Sequence, residues 1–164
     1  MITPMGQAEP LSSDEEALWR AVMRITRVLP RYLDSDLVRN GGLTASEYTT
    51  LMILSEAPKR ELRMSDLANA TGLSASRTTR LVDSLQARGF LTKTVSSSDA
   101  RGNVARLSSA GMTKLKAAWP AHLQSVRHRF FESLDARDVE AAAQALEKVA
   151  ARLEEPSGAL RANR

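Results

Sequence analysis

The fold is decided by residues 65–85, which read SDLANATGLSASRTTRLVDSL. Two short amphipathic helices are predicted here, one that ends before Gly72 and one that runs from Ser74 to Gly89. Ala68 is small enough for two helices to cross closely, and Gly72 provides the tight turn between them. This spacing is typical of a helix-turn-helix, although any pair of short helices can show it by chance.

The second helix of the pair has two distinct faces. At about 100° per residue, four side chains point toward a shared core: Thr78, Leu81, Val82 and Leu85. The outward face and its flanks carry the hydroxyls and arginines that we predict to contact DNA: Ser74, Ser76, Arg77, Thr79 and Arg80. Small side chains let a helix approach the floor of the major groove, where Arg binds guanine or phosphate. The alternative is an ordinary solvated face, which Asp83 favours.

The positive charge of the chain is concentrated in one segment. The formal net charge is +4, from 23 Lys and Arg against 19 Asp and Glu. Residues 74–106 hold six of these basic residues and two of the acidic ones, so the remainder is neutral with 17 of each. A basic patch on a neutral body indicates a polyanionic partner more strongly than uniform basicity would.

A β-hairpin is predicted directly after the helix pair. Residues 90–95 are rich in β-branched and aromatic side chains, and residues 103–108 can pair with them. The polar loop between the strands contains Asp99 and Arg101. An Arg in such a wing can enter a narrow minor groove, and a nearby carboxylate can hold it extended. We therefore predict that Asp99 and Arg101 form the DNA-binding part of a wing.

The remaining elements are helical. Flexible tails are expected at residues 1–12 and 156–164, an N-terminal dimerisation helix at 13–42, a DNA-binding domain at 43–109 and C-terminal dimerisation helices at 110–155. A capping box predicts a helix that begins at Thr44, and residues 59–63 are expected to form a polar connector. The apolar stripes of the terminal helices suggest a dimer, and a monomeric bundle is the alternative. The expected fold is mainly α with a small β-hairpin wing.

The composition excludes several classes of protein. A chain of 164 residues without Cys has no disulfide, no Cys-ligated zinc and no thiolate nucleophile. The sequence shows no signal peptide or membrane span, so we expect a cytoplasmic protein. His122 and His128 lie six positions apart on one predicted helix and cannot face one metal together. Because no catalytic or cofactor-binding motif is present either, we predict a non-enzyme without metal or cofactor.

Five segments carry a resemblance to a known family. They read SDLA at 65–68, GLSAS at 72–76, RLVDSLQARGFL at 80–91, SDARG at 98–102 and LSSAG at 107–111. Together they resemble the MarR family of winged-helix transcription regulators, over residues 44–111 in motif and over the whole chain in the order of elements. Thr78 departs from the family pattern, which usually has a larger aliphatic residue there.

The resemblance implies a winged helix-turn-helix within a homodimer whose N- and C-terminal helices interlock. Residues 74–89 would be the recognition helix, and Asp99 with Arg101 the wing motif. Such proteins commonly repress their own operon and neighbouring genes, and many leave DNA when a small aromatic or phenolic molecule binds. The absence of Cys excludes the branch of the family that senses thiol oxidation.

The resemblance also suggests where an effector would bind. In this family the pocket usually lies where the dimer helices meet the DNA-binding lobe. The candidates in this chain are Trp19, Met23, Tyr48, Met52 and Trp119. Arg20 or Arg24 could serve as anion partners. The alternative is that these side chains only pack in the core or the dimer interface.

The leading hypothesis is a homodimeric repressor that binds a pseudo-palindromic operator, with half-sites about 10 bp apart or a multiple of that. One alternative is a winged helix that binds an acidic protein, and another is a DNA-binding protein indifferent to sequence. The predicted recognition face lacks the exposed aromatic residues expected of a protein-binding hot spot. Its composition therefore favours DNA.

Overall fold

The computed structural model describes residues 9–95 and 103–154. The elements are α1 (Ser13–Gly41), α2 (Ala45–Glu56), β1 (Glu61–Arg63), α3 (Met64–Thr71), α4 (Ala75–Ala87), β2 (Leu91–Val95), β3 (Asn103–Leu107), α5 (Ser109–Val126) and α6 (Ala136–Glu154). A 3-10 turn lies at Pro58–Arg60 and a π-helical turn at Arg127–Phe131. The prediction of a mainly α fold with a β wing is confirmed.

The chain forms two compact units, which divide between Leu123 and Gln124. The first unit contains the sheet, α1 to α4 and most of α5; the second contains the π-helical turn and α6. In the part of the chain that the structure describes, no helix has the length and apolar character needed to cross a membrane.

Local sequence signals set the ends of the helices around the candidate site. The predicted capping box of α2 is present: the Thr44 hydroxyl accepts the Glu47 N–H, and the Thr44 N–H donates to Glu47 Oε2 at 2.8 Å. After the C-terminal end of α4, Gly89 has a φ of +74°, a left-handed conformation that favours glycine. The Phe90 N–H then donates to the Leu85 carbonyl, which ends α4 as the sequence predicts.

The helix-turn-helix is held by a buried seam between α3 and α4. Leu67, Val82 and Leu85 have no solvent exposure, and Thr78 is 2% exposed. The Thr78 hydroxyl donates to the Ser74 carbonyl at 3.1 Å, so its burial leaves no unsatisfied donor. Thr78 therefore fits in the core, although the family pattern usually has a larger side chain there.

A third strand, β1, lies where a polar connector was expected, and that expectation was wrong. β1 pairs antiparallel with β3, and the strand order is β1-β3-β2. Glu61 lies opposite Arg106 and accepts a hydrogen bond from its Nε at 2.7 Å. The strand is only three residues long, too short to show an alternating pattern, and its pairing with β3 stabilises it. The predicted β2–β3 hairpin is thus part of a three-stranded sheet.

The first turn of α5 packs directly on the chain that leaves α4. The Ser108 hydroxyl accepts the Gly111 N–H at 3.0 Å and caps this turn. A Cβ atom placed on Gly111 would lie 2.0 Å from the Phe90 carbonyl oxygen and 2.7 Å from Leu107. Only glycine permits this approach, which seats α5 against the junction of α4 and β2.

The substitution Gly111→Ala tests this contact. Because the new methyl group meets backbone on one side, we expect it to lower the free energy of unfolding by about 1–3 kcal/mol or more. Urea unfolding of the two proteins measures the difference. Ser109→Ala, an exposed change in the same turn, should stay within about 0.5 kcal/mol of the parent. Equal stability of all three proteins would contradict the close packing.

Candidate nucleic-acid interface

The N-terminal half of α4 is exposed on the side opposite its buried seam. All five predicted contact residues are exposed: Ser74, Ser76, Arg77, Thr79 and Arg80. Ser74 is the N-cap, and its hydroxyl accepts the Arg77 N–H at 3.4 Å. The Thr79 hydroxyl donates to the Ala75 carbonyl at 3.0 Å. The structure therefore places short hydroxyl side chains and the positive end of a helix dipole on one surface.

Arg77 and Arg80 are the cations that this surface offers. They lie three positions apart, so they are neighbours on the helix surface. Both are exposed, and neither has an ion pair with any residue in the described ranges. A guanidinium without a protein partner can exchange water and counterions for phosphate or guanine at little cost.

Three other cations of the basic segment already have carboxylate partners. Arg88 pairs with Glu47, Lys93 with Asp83, and Arg106 with Glu61. Arg101 lies outside the described residues, as does Asp99, so their predicted role in the wing stays a prediction. Within the part that the structure describes, the unpaired charge of this segment is concentrated on Arg77 and Arg80. The net charge of the segment could not show which of its cations are paired and which are not.

Asp83, which favoured an ordinary solvated face, has a structural role. Its Oδ1 accepts a hydrogen bond from Lys93 Nζ at 3.0 Å. The Lys93 side chain is 22% exposed, so part of this pair is shielded from water. The ion pair joins α4 to β2 and neutralises the carboxylate on the outward face of the helix. Asp83 is therefore compatible with a surface that binds an anion.

The C-terminal end of α4 is joined to the start of α2. Arg88 donates from Nη1 to Glu47 Oε1 at 2.9 Å and from Nη2 to the Gly42 carbonyl at 2.9 Å. Its guanidinium also lies over the Phe90 ring, 4.7 Å from the centroid. The sequence analysis did not identify this cluster, since its members are far apart along the chain.

The predicted effector residues fall into two groups. Trp19 and Met23 are exposed on α1, where they line a surface cavity of about 650 Å³ with Arg20 and Arg24. Arg20 there pairs with Glu16 at 2.6 Å. The second group lies in the first unit near α5: Tyr48 is buried, Met52 packs against the core, and Trp119 is half exposed.

His122 joins the second group, although the sequence analysis considered it only as a metal ligand. Its ring lies 4.5 Å from the Tyr48 ring and 6.4 Å from the Trp119 ring, between centroids. Neither the Tyr48 hydroxyl nor His122 Nδ1 has a hydrogen-bond partner among the residues that the structure describes. Burial, with a smaller contribution from Glu56, raises the pKa of Tyr48, and burial lowers the pKa of His122. In the sequence, only the three-residue spacing of Trp119 and His122 indicates this cluster, because residues three positions apart on a helix are neighbours.

The lowered pKa of His122 has a consequence for stability. Below the ordinary pKa of His, the unfolded chain gains a proton that the folded chain resists, so stability is lost as the pH falls. We expect the free energy of unfolding to decrease more between pH 7.5 and 5.5 in the parent protein than in His122→Gln. Because His122 is part exposed, the difference should be less than about 1 kcal/mol.

Urea unfolding at the two pH values measures this effect. His128→Gln is the matched control, because His128 is exposed and hydrogen-bonded to Glu132 on the surface. The control should keep the parent's pH dependence. If the parent and His122→Gln changed in parallel with pH, the inferred burial of the imidazole would be wrong.

The comparisons with known proteins agree with this architecture. A family model described as MarR family matches residues 41–102. AbsC, a MarR family transcriptional regulator from Streptomyces coelicolor, is 32% identical and has a TM-score of 0.77, over 89% of this chain and 98% of that protein. A comparison with curated protein sequences gives no match.

Two further structures are similar and contain DNA. Sco3205, a MarR family transcriptional regulator from Streptomyces coelicolor crystallised in complex with DNA, is 29% identical with a TM-score of 0.81, over 93% of this chain and 95% of that protein. A mutant of MarR from E. coli complexed with operator DNA is 20% identical with a TM-score of 0.70, over 86% and 99%. The second likeness shows the fold alone.

Proposed function

The chain belongs to the MarR family of transcriptional regulators, and we propose that it is a homodimeric repressor that binds a pseudo-palindromic operator. One observation carries the proposal: Arg77 and Arg80 are exposed, have no ion pair within residues 9–95 and 103–154, and lie on a helix whose opposite face is buried. A similar regulator of the family, Sco3205, was crystallised with DNA. DNA is therefore the polyanion that this surface fits best.

In this proposal each protomer inserts α4 into a major groove. Arg77 and Arg80 contact bases or phosphates, and Ser74, Ser76 and Thr79 allow the helix to approach closely. Arg101, oriented by Asp99, enters the adjacent minor groove. Two recognition helices related by a two-fold axis would read half-sites about 10 bp apart or a multiple of that.

The terminal helices support the dimer. On α1, Leu18, Ile25 and Val28 share one side of the helix, and Leu18 is 64% exposed. On α6, Leu146, Val149 and Leu153 share one side, and Leu153 is 79% exposed. Exposed apolar rows of this length are typical of a surface that a partner covers. A second copy of the chain is that partner, which makes these elements the dimerisation helices of the proposal.

Regulation by a small aromatic ligand is part of the same proposal. Two sites could hold such a molecule: the α1 cavity beside Trp19 and Met23, and the cluster around Tyr48 and Trp119. The first offers guanidinium groups for an acidic ligand, and the second offers an unpaired hydroxyl. We assign no catalytic role to the chain, and we place it in the cytoplasm because a repressor must reach the chromosome.

Fluorescence anisotropy tests the function directly. The purified protein is titrated onto the intergenic DNA upstream of its own gene and onto a shuffled duplex, over a series of salt concentrations. The proposal expects nanomolar binding to the first and binding weaker by about 10³-fold or more to the second. Equal affinities for the two duplexes that fall steeply as salt is added would instead indicate that the protein binds only the phosphate backbone of DNA. Absence of binding to both duplexes would favour a protein partner.

Arg80→Ala should weaken binding to the operator by about 1–3 kcal/mol and relax the preference at one base position. The physical reason is the loss of a bidentate contact to guanine. Lys116→Ala removes the same charge from an exposed position on α5 and should leave that preference intact. If Arg80→Ala weakened binding to every sequence equally, its role would be contact with phosphate only.

Leu146→Glu should convert the dimer into monomers, because it places a charge in the apolar row of α6. Sedimentation velocity measures the oligomeric state of the free protein. Lys148→Glu introduces the same side chain on the opposite side of α6 and should remain dimeric. A parent protein that sedimented as a monomer, or a dimeric Leu146→Glu, would contradict the role of α6 in dimerisation.

A further inference from the structure

We propose that Arg88 is a positioning residue that fixes the recognition helix α4 to the corner between α1 and α2. The proposal rests on the DNA-binding function proposed above and goes beyond the contacts assigned to the outward face of α4. It concerns how the two recognition helices of a dimer keep the spacing and orientation that an operator requires.

The contacts of Arg88 use both terminal nitrogens of its guanidinium and one face of the group. Nη1 donates to Glu47 Oε1 and Nη2 to the Gly42 carbonyl, both at 2.9 Å, while the Phe90 ring lies against one face of the group. Glu47 is 8% exposed, and its other oxygen accepts the Thr44 N–H at 2.8 Å. Both carboxylate oxygens of a nearly buried Glu are therefore committed. An ion pair of this kind is more specific in geometry than a pair between mobile surface groups.

The contacts of Arg88 join the C-terminal ends of two helices, α4 and α1. Arg88 is the C-cap residue of α4, and Gly42 is the C-cap residue of α1. The side chain thus joins the ends of two helices that lie 46 positions apart in the sequence. α1 is proposed to join the two copies and α4 to read DNA. Arg88 therefore connects the interface between protomers to the surface that recognises the operator.

Arginine and glutamate are the residue types that this junction needs. A Lys at position 88 keeps the charge, but its single ammonium lacks the planar fork that reaches two acceptors while stacking on a ring. A Gln at position 47 replaces one of the two accepting oxygens by an NH2 group, which cannot accept a hydrogen bond, so either the Thr44 N–H or Arg88 loses its acceptor. Conservative changes therefore loosen the junction with little change in volume.

A direct contact between Arg88 and a phosphate is the competing explanation, because the Arg88 side chain is 38% exposed. Glu47→Gln separates the two explanations by the sign of its effect. Removal of a negative charge near DNA should strengthen or preserve binding to every sequence if electrostatics alone matters. If Arg88 positions α4, the same change should weaken binding to the operator and spare binding to other DNA.

The experiment compares Glu47→Gln, Arg88→Lys and a control, Arg60→Gln, which removes a charge from an exposed residue without an ion pair among the described residues. The probes are a duplex selected from random-sequence DNA by the parent protein and its shuffled version. We expect both junction variants to bind the selected duplex about tenfold more weakly. Their affinity for the shuffled duplex and the slope of affinity against salt should match those of the parent. The control should keep the parent's ratio between the two duplexes.

Two results would overturn the proposal. One is an unchanged ratio of selected to shuffled affinity in Glu47→Gln. The other is parent affinity for both duplexes in Arg88→Lys, because a lysine keeps the charge that a contact with phosphate needs.

Hydrogen exchange without DNA tests the junction separately from the proposed function. We expect faster exchange of the amides in the C-terminal half of α4 in both junction variants, and parent rates in Arg60→Gln. If the parent protein failed to discriminate between duplexes, sequence-specific regulation would be wrong, and the exchange data would still decide whether Arg88 holds α4. Unchanged exchange in both junction variants would refute that role.

Discussion

Burial of one face of α4 is the constraint on which the rest of the interface depends. Val82 and Leu85 have no solvent exposure, and each contributes roughly 1.5–3 kcal/mol by leaving water. Rotation of the helix by one residue, about 100°, would expose these side chains and carry charged ones into the core. The apolar seam therefore sets the direction in which Arg77 and Arg80 point. Recognition chemistry here is a consequence of core packing.

The basic residues around α4 fall into two classes, those that pair with carboxylates and those that do not. Arg88, Lys93 and Arg106 each pair with a carboxylate and join neighbouring elements of the winged domain. Arg77 and Arg80 lie on the exposed half of α4 and have no such partner in the described part of the chain. A paired cation has already lost part of its solvation and has little to gain from DNA, whereas an unpaired one contributes the full release of counterions. Within the described part of residues 74–106, the pairing pattern thus leaves the unpaired positive charge at the N-terminal half of α4, where DNA is proposed to bind.

The terminal helices each carry a row of exposed apolar side chains. The rows on α1 and α6 resemble the faces that a coiled coil or a helical dimer covers, with charged residues confined to the other sides. A contact that covers these rows would lie far along the chain from the residues proposed to bind DNA. Within the first unit, the contacts of Arg88 with Glu47 and with the Gly42 carbonyl join α4 to the end of α1.

The sequence by itself determined the elements that depend on near neighbours. The glycine turns at Gly72 and Gly89, the capping box at Thr44 and Glu47, the two wing strands and the two faces of α4 all follow from residues within a few positions of each other. Each of these signals is local because a helix repeats every 3.6 residues and a strand every two. The resemblance to the MarR family rested on five segments between residues 65 and 111.

Only the tertiary structure decided what joins these elements. It added β1, which exists because β3 pairs with it, and it brought Tyr48 to His122. It also paired Asp83 with Lys93, Glu47 with Arg88, and Arg88 with the Gly42 carbonyl, across separations of 10, 41 and 46 positions. A charged residue has many possible partners at such distances, and one sequence does not say which of them folding brings within hydrogen-bond range. Packing makes that choice, because the position of each helix is set by the apolar surface it buries.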